Sequence, residues 1–373
     1  MPSSAPAPPD PRAIAAAISR RVLGQEAAIR EMSVALSKHL GGLATGNILM
    51  IGSSGTGKTT LMRAVESFLA EDPELAGRST VVRIHANVLA EEAERGRPGE
   101  AVLVRLISRA REQLPNAAIP QLVERAKRGL VFVDEVDKIR SIIGGKVHVP
   151  GLRAQEALLT LIENEAVPLE LPEWAGGGTA LVDSSGLLFV CAGAFEGLYD
   201  AVFDRVTIGR DKGTLRPVTV VDGGRLREEL RFDLRKFLRN EDLFEYGLSP
   251  QFLSRFDAVV LLENLGADEL VRIFLEAPDS AYLQSRAYFE SRGLHLALSP
   301  AAARRIAVEA ARQGRLGARA LKEVFRRVIR DFEFEPERSA SDGSLLIDLP
   351  EVEAALAEGT ASEPATRAPG GVR

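Results

Sequence analysis

The stretch NILMIGSSGTGKTT, from Asn47 to Thr60, ends an apolar run in glycine and closes on Gly-Lys-Thr. It fits Gly-x-x-x-x-Gly-Lys-Ser/Thr, with Gly52, Gly57, Lys58 and Thr59 at the fixed positions. That spacing suits phosphate. Glycines let successive backbone N–H groups turn toward phosphate oxygens, the lysine adds a cation for the β- and γ-phosphates, and the threonine hydroxyl can ligate Mg2+. The residues expected to bind nucleotide are Gly52, Ser53, Ser54, Gly55, Thr56, Gly57, Lys58, Thr59 and Thr60. A second stretch, GLVFVDEVDK over 129–138, ends an apolar run in Asp134 and Glu135. An aspartate there can hold a Mg2+ shell beside Thr59, and the adjacent glutamate can deprotonate a water for attack on the γ-phosphate. Many strands end in acids, so this pair is weak alone. Downstream of the glycine loop, in one alternation of elements, it points to Mg-dependent ATP hydrolysis.

Such residues work only if a scaffold brings their loops to one edge. NILMI (47–51), TVVRI (80–84), LVFVD (130–134), LLFVC (187–191) and AVVLL (258–262) are short, apolar and often β-branched, as buried parallel strands are. Helical stripes lie between them: Leu103, Leu106, Ile107 and Ala110 share one face, and Ala154, Ala157, Leu158, Leu161 and Ile162 another. Alternation of this kind predicts a layered α/β domain. After about residue 263 the pattern becomes mostly helical, with stripes at Ala303, Ile306, Ala307 and Ala310 and at Leu321, Val324, Phe325, Val328 and Ile329; SLLID (344–348) reads as a short strand. The expected organisation is a large domain over 13–262 and a small helical domain over 263–350. Residues 1–12 are expected to be a disordered tail and 351–373 a tail that is largely disordered, both rich in Pro, Ala, Ser and Gly toward the ends.

Composition sets outer bounds. The 373 residues are 45% hydrophobic, enough for two domains with cores of their own. A net charge of -5 gives no global pull toward nucleic acid. The single cysteine, Cys191, excludes an internal disulfide and any multi-cysteine zinc module. No apolar run approaches the ~18 residues of a membrane span, and the N-terminus lacks a signal-peptide core, so a cytoplasmic protein is expected.

Taken in order, these motifs resemble the AAA+ ATPases, and within them the ClpX/HslU branch. RRVLGQEAAIREMSVALSKHL (20–40) is similar to that branch's segment before the phosphate loop, where backbone near Val22, Leu23 and Gly24 would contact adenine. VFVDEVDKI, RAQEALLTLIENEAV and VDSSGLLFVCAGAFEGL resemble its next elements. EYGLSPQFLSRFD (245–257) resembles the segment carrying the arginine finger, which maps onto Arg255, and GRLGARALKEVFRRVI (314–329) resembles the sensor-2 helix, whose arginine maps onto Arg319. The likeness covers roughly residues 13–348. It implies an αβα layered P-loop domain with a five-stranded parallel sheet and a small helical lid. It also implies a hexameric ring using ATP and Mg2+, with Lys58, Glu135, Arg255 and Arg319 as catalytic groups. The sequence itself fixes no oligomer count.

Two departures qualify the function. The family's substrate-gripping loop reads Gly-Tyr-Val-Gly; here Gly96-Arg97-Pro98-Gly99 keeps the frame and loses the aromatic–aliphatic pair. A ring of such arginines would favour an anionic partner. The family's Ile-Gly-Phe peptidase-docking tripeptide corresponds only to Ile208-Gly209-Arg210, so peptidase docking is doubtful. The main expectation is an ATP-driven machine that remodels or unfolds protein partners. A full unfoldase feeding a peptidase and a nucleic-acid-stimulated ATPase are the alternatives, the latter not favoured. The hairpin expected over 167–185, with Trp174 near its tip, is a candidate partner contact, or Trp174 packs on its own hairpin.

Overall fold

In the computed structural model, five strands form one parallel sheet: β1 (Asn47–Ile51), β2 (Thr80–His85), β3 (Gly129–Asp134), β4 (Leu188–Gly193) and β5 (Phe256–Leu261). The described residues are 7–361 except 98, 164–165, 176, 210–217, 223–224, 230–231, 314–315 and 340–342. Strand order is β5-β1-β4-β3-β2. Burial explains the apolar runs. Every residue of β4 is buried, and β3 is buried up to Asp134, because each lies between two neighbours under helices. The edge strand β2 alternates instead, leaving Arg83 half-buried and His85 exposed. Parallel pairing puts the C-terminal ends of β1, β4 and β3 side by side, with Met50 opposite Ala192 and Val133 opposite Cys191. In open α/β sheets this is the edge where ligands bind.

Two compact units divide the chain. The first comprises Met1–Ser19, Glu26–Ser53 and Lys58–Leu262; the second comprises Arg20–Gln25, Ser54–Gly57 and Glu263–Arg373. In the first, helices Lys58–Glu71, Glu100–Gln113 and Val149–Glu163 follow or flank the sheet. The stripes read from sequence face the core: Leu103, Leu106, Ile107 and Ala110 are fully buried, as are Ala154, Leu158 and Leu161. Antiparallel hairpins at Ile142–Ile143/Lys146–Val147 and Val167–Glu170/Thr179–Val182 are appended. Trp174 sits on the loop of the second hairpin, half-exposed, with the Arg111 guanidinium 4.7 Å above its ring. It is therefore held against the helix Glu100–Gln113.

The second unit packs helices Ala267–Glu276, Ala281–Ser291, Pro300–Arg312, Ala318–Phe334 and Leu349–Ala361 around Phe274, Phe289, Ile306, Val324 and Phe325. Phe274 and Phe325 meet edge-on with centroids 4.9 Å apart. Ser299 caps the helix Pro300–Arg312 by accepting the Ala302 N–H, and Pro300 opens it with a fixed φ. Ser344–Ile347 (β7) is a strand and pairs in parallel with His295–Leu298 (β6).

Three boundaries differ from the sequence expectation. The tail expected from residue 351 is helical to Ala361, because Val352 and Leu356 recur four apart and bury in the second core. At the other end, the helix Pro11–Ser19 begins inside the expected tail; Ser37 Oγ donates to Pro9 O at 2.6 Å and Arg78 Nη1 to Ala7 O at 2.8 Å. Residues 1–6 and 362–373 lie outside the described residues. Finally, Arg20–Gln25 and Ser54–Gly57, placed by sequence in the large domain, group with the second unit. The Gln25 side-chain amide explains this: its Nε2 donates to Thr56 O and to Glu263 O, both at 2.9 Å, and its Oε1 accepts the Glu263 N–H at 3.0 Å.

Candidate active site

The glycine loop leaves β1 where the sheet is most buried. Gly52 N–H donates to Gly193 O at 3.3 Å, anchoring the loop to the end of β4. Gly55 and Gly57 have φ of +77° and +101°, a region that side-chain-bearing residues avoid. At Gly55 a Cβ would lie 2.0 Å from Leu316 O, so only glycine fits there. Lys58 is buried at the start of its helix; its Nζ donates to Gly52 O and, at 2.8 Å, to Ser53 O. Ser53, Ser54, Thr56 and Thr60 sit along the same loop and first helical turn.

Across the sheet edge, Thr59 Oγ1 donates to Asp134 Oδ2 at 3.4 Å. A hydroxyl and a carboxylate this close, both of the oxygen-donor type, fit one small hydrated Mg2+. Glu135 adopts a left-handed backbone, φ +60° and ψ +36°, and its N–H donates to Asp134 Oδ1 at 2.9 Å. Its carboxylate is half-exposed, 3.9 Å from His85 Nδ1 at the end of β2. Among the described residues, the only other non-glycine with positive φ is Phe195, at +53°, just past the end of β4. Two strained residues thus follow two adjacent strand ends, the distribution expected where a fold trades backbone comfort for placement.

Several contributors were invisible in the sequence. Asp137 is buried and accepts the Ala194 N–H at 3.1 Å, tying the turn after β3 to the turn after β4. At Gly193 a Cβ would meet that same Asp137 oxygen at 2.6 Å, so the glycine makes room for the tie. Gln25 fixes Thr56, as described. In the second unit, Val22 is buried and Gly24 turns at φ +72°, with Leu265 and Glu269 against it. Arg319 Nη1 donates to Ser54 Oγ at 2.7 Å, and Ala318 N–H to Gly55 O at 3.1 Å. The arginine mapped from the sensor-2 likeness therefore meets Ser54 within the second unit. In the first unit, the Arg255 guanidinium pairs with Glu163 at the end of the helix Val149–Glu163, both partly exposed.

A family model described as AAA domain (Cdc48 subfamily) matches residues 43–259. That match spans more than half of the chain and contains the glycine loop, Asp134, Glu135 and Arg255. The chain belongs to the AAA family of ATPases. Within that family it is similar to ATP-dependent Clp protease ATP-binding subunit ClpX 3 of Methylococcus capsulatus, 30% identical over 92% of this chain and 80% of that protein. ClpX of Porphyromonas gingivalis is 29% identical over 93% and 82% of the two chains, and ClpX 2 of Wolinella succinogenes is 28% identical over 88% and 78%. The AAA chain is thus ClpX-like along most of its length, and ATP with Mg2+ is what such ATPases use. Among the described residues no helix is long and apolar enough to cross a membrane.

The glycine-flanked loop at Gly96–Gly99 is held by partners from its own helix and from a hairpin. Gly96 and Gly99 turn at φ +72° and +81°. Pro98 lies outside the described residues. Arg97 is not the free cation that its sequence suggests: Nη2 is 3.1 Å from Glu170 Oε2 and Nη1 is 3.4 Å from Glu100 Oε1. Below it, Glu92 is buried, its O accepts the Arg97 N–H at 3.0 Å, and its carboxylate accepts the Ala101 N–H. Burial holds the Glu92 carboxyl above the usual carboxylate range. No positional pattern flagged Glu92, Glu100 or Glu170 as a set, because the loop's fold assembles them. In the stretch Ile208-Gly209-Arg210, Ile208 is exposed and Arg210 lies outside the described residues.

Proposed function

We propose that this protein is an ATP-driven machine that remodels or unfolds protein partners as a homo-oligomeric, hexameric ring. The observation that carries it is the assembly at one sheet edge of Lys58, the Thr59–Asp134 pair and the strained Glu135. Lys58 and the loop N–H groups of Gly52–Thr60 bind the phosphates, and Thr59 and Asp134 hold Mg2+. When bound, Mg2+ neutralises charge on the phosphate oxygens. Glu135 takes a proton from the attacking water; its left-handed backbone sets the carboxylate's approach. Val22, Leu23 and Gly24 form the adenine side, and Arg319 reads the nucleotide through the loop at Ser54. Arg255 exchanges Glu163 for a neighbouring subunit's γ-phosphate and spreads its transition-state charge.

The test is Glu135→Gln: ATP binding persists and turnover falls by about a thousandfold, read by nucleotide binding and steady-state phosphate release. An unchanged rate sinks the assignment. Arg255→Ala mixed with wild-type subunits should poison hydrolysis out of proportion to its share if the finger acts in trans.

A second reading, an unfoldase feeding a peptidase in the cytoplasm, is favoured by the relatives' printed names. ATP-dependent degradation of a tagged folded protein, with the host peptidase added, decides it. A nucleic-acid-stimulated ATPase is disfavoured, because Glu100 and Glu170 offset the charge of Arg97.

A further inference from the structure

The side chain of Asn47 ties two strands together at the end of the sheet away from the glycine loop. It opens β1, and its amide serves both neighbours. Oδ1 accepts the Phe189 N–H of β4 at 3.0 Å, and Nδ2 donates to Arg255 O at 3.0 Å. The backbone register explains why a side chain is used. β1 meets β4 from Ile48 opposite Val190 onward, so the Phe189 N–H lies one step before the ladder. On the other flank Asn47 pairs with Phe256 but Ile48 with Ala258, so Asp257 has no opposite number on β1. An extra residue of this kind bends a strand and re-aims the side chains beside it. Gly46 makes room for it, since a Cβ there would overlap the Asp257 carboxylate.

Arg255 is the residue that this arrangement carries. Its N–H donates to Phe252 O at 3.2 Å, closing the short helix Pro250–Leu253, and its O is taken by Asn47. On either side Phe252 and Phe256 are buried and meet edge-on with centroids 5.0 Å apart. The backbone is thus fixed, while the side chain stays partly exposed against Glu163. With the backbone fixed, the guanidinium is left only its rotamers to move in. Its place along the sheet also matters. β5 has six residues, so Arg255 lies roughly 20 Å along the strand from the edge where β1 runs into Gly52. That is more than an arginine side chain spans. A phosphate met by Arg255 therefore belongs to another subunit, and the approach depends on how the backbone at 255 is held.

We propose that Asn47 is a positioning residue for ATP hydrolysis: by holding the Arg255 carbonyl, its amide aims the guanidinium at the phosphates of the neighbouring subunit. The inference rests on the reading of Arg255 as a finger acting in trans. Asn47 lies at the opposite end of β1 from the glycine loop, so its loss should spare ATP binding by its own subunit.

The experiment uses the full-length protein. Asn47→Ala should lower kcat by about tenfold while KM for ATP stays within about twofold, a placement error rather than a binding loss. Asn47→Asp separates the two hydrogen bonds: its carboxylate still accepts the Phe189 N–H but has no N–H for the Arg255 carbonyl. It should match Asn47→Ala in rate and wild type in denaturation midpoint. Adding Asn47→Ala to Arg255→Ala should slow hydrolysis no further, as for two residues acting through one group. Glu135→Gln subunits are inactive in their own site but carry an aimed Arg255. Co-expressed with them, Asn47→Ala subunits should hydrolyse faster per subunit than alone, to the degree that Arg255→Ala subunits do. Wild-type kcat in Asn47→Asp overturns the proposal, as do additive losses in the double variant. Rescue of Arg255→Ala but not of Asn47→Ala overturns it too, placing the defect in the subunit's own site. If Arg255→Ala hydrolyses at the wild-type rate, the finger reading falls and this inference with it. If Arg255→Ala is slow and the Asn47 variants are not, only the role of Asn47 is lost.

Discussion

Two loops in this molecule are built on the same plan and put to opposite uses. Both Gly52–Thr59 and Gly96–Gly99 turn on positive-φ glycines, carry one cation and open a helix. In the first, Lys58 donates to carbonyls of its own loop, and Thr59 beside it donates to Asp134. In the second, Arg97 is held by Glu100 and Glu170, with Glu92 buried beneath. Carbonyl acceptors orient a cation without carrying an opposite charge. A cation among carboxylates is already compensated. The residue type in a loop therefore says less about its ligand than the groups that fold around it.

Replacing each cation tests this contrast most strongly. Lys58→Ala should weaken ATP binding by about a hundredfold, the loss of a charge-assisted contact, measured by labelled-nucleotide titration. Arg97→Ala should leave ATP affinity unchanged and cost less than about 1 kcal/mol of stability, as exposed ion pairs do. Comparable losses of ATP affinity from both would break the distinction.

The glycines of the second loop sharpen it further. At Gly99 a Cβ would meet the buried Leu161 side chain at 2.5 Å, whereas at Gly96 it meets open space. Gly99→Ala should destabilise by about 2–3 kcal/mol, strain plus overpacking, and Gly96→Ala by about 1 kcal/mol, strain alone. Chemical denaturation distinguishes them, and equal costs would show that the loop does not pack on Leu161. The subtlest effect is electrostatic. The Glu92 carboxyl is held above its ordinary value by burial, so the folded state keeps a proton that the unfolded state releases first. Stability contributed by that proton is present at low pH and is lost as pH rises through the folded value. Glu92→Gln should therefore gain stability relative to wild type above that range and match it below. A pH-independent difference would assign Glu92 a packing role only.

The scaffold was legible because its signals are local. Apolar runs such as LVFVD and stripes such as Leu321, Val324, Phe325 and Val328 need only near neighbours to be read, and each lands in a core. The glycine loop was legible for the same reason. What escaped was long-range. Gln25 joins Thr56 to Glu263, Asp137 joins two turns, and Glu170 reaches Arg97 from another hairpin. None leaves a pattern in sequence spacing. Backbone strain at Glu135 and Phe195 is equally silent, since neither residue type advertises a left-handed conformation. The helix Leu349–Ala361 was missed because the polar, Pro-rich composition beyond it set the expectation for the whole segment.

Cys191 lies at the centre of β4, fully buried between β1 and β3, and burial pushes its thiol far up from its ordinary value. Under native conditions it should ignore maleimide dyes. The chain is thus a ready-made background for single-site labelling: a cysteine introduced in place of Val147 would carry the only reporter. Its emission could follow the hairpin through successive rounds of ATP turnover.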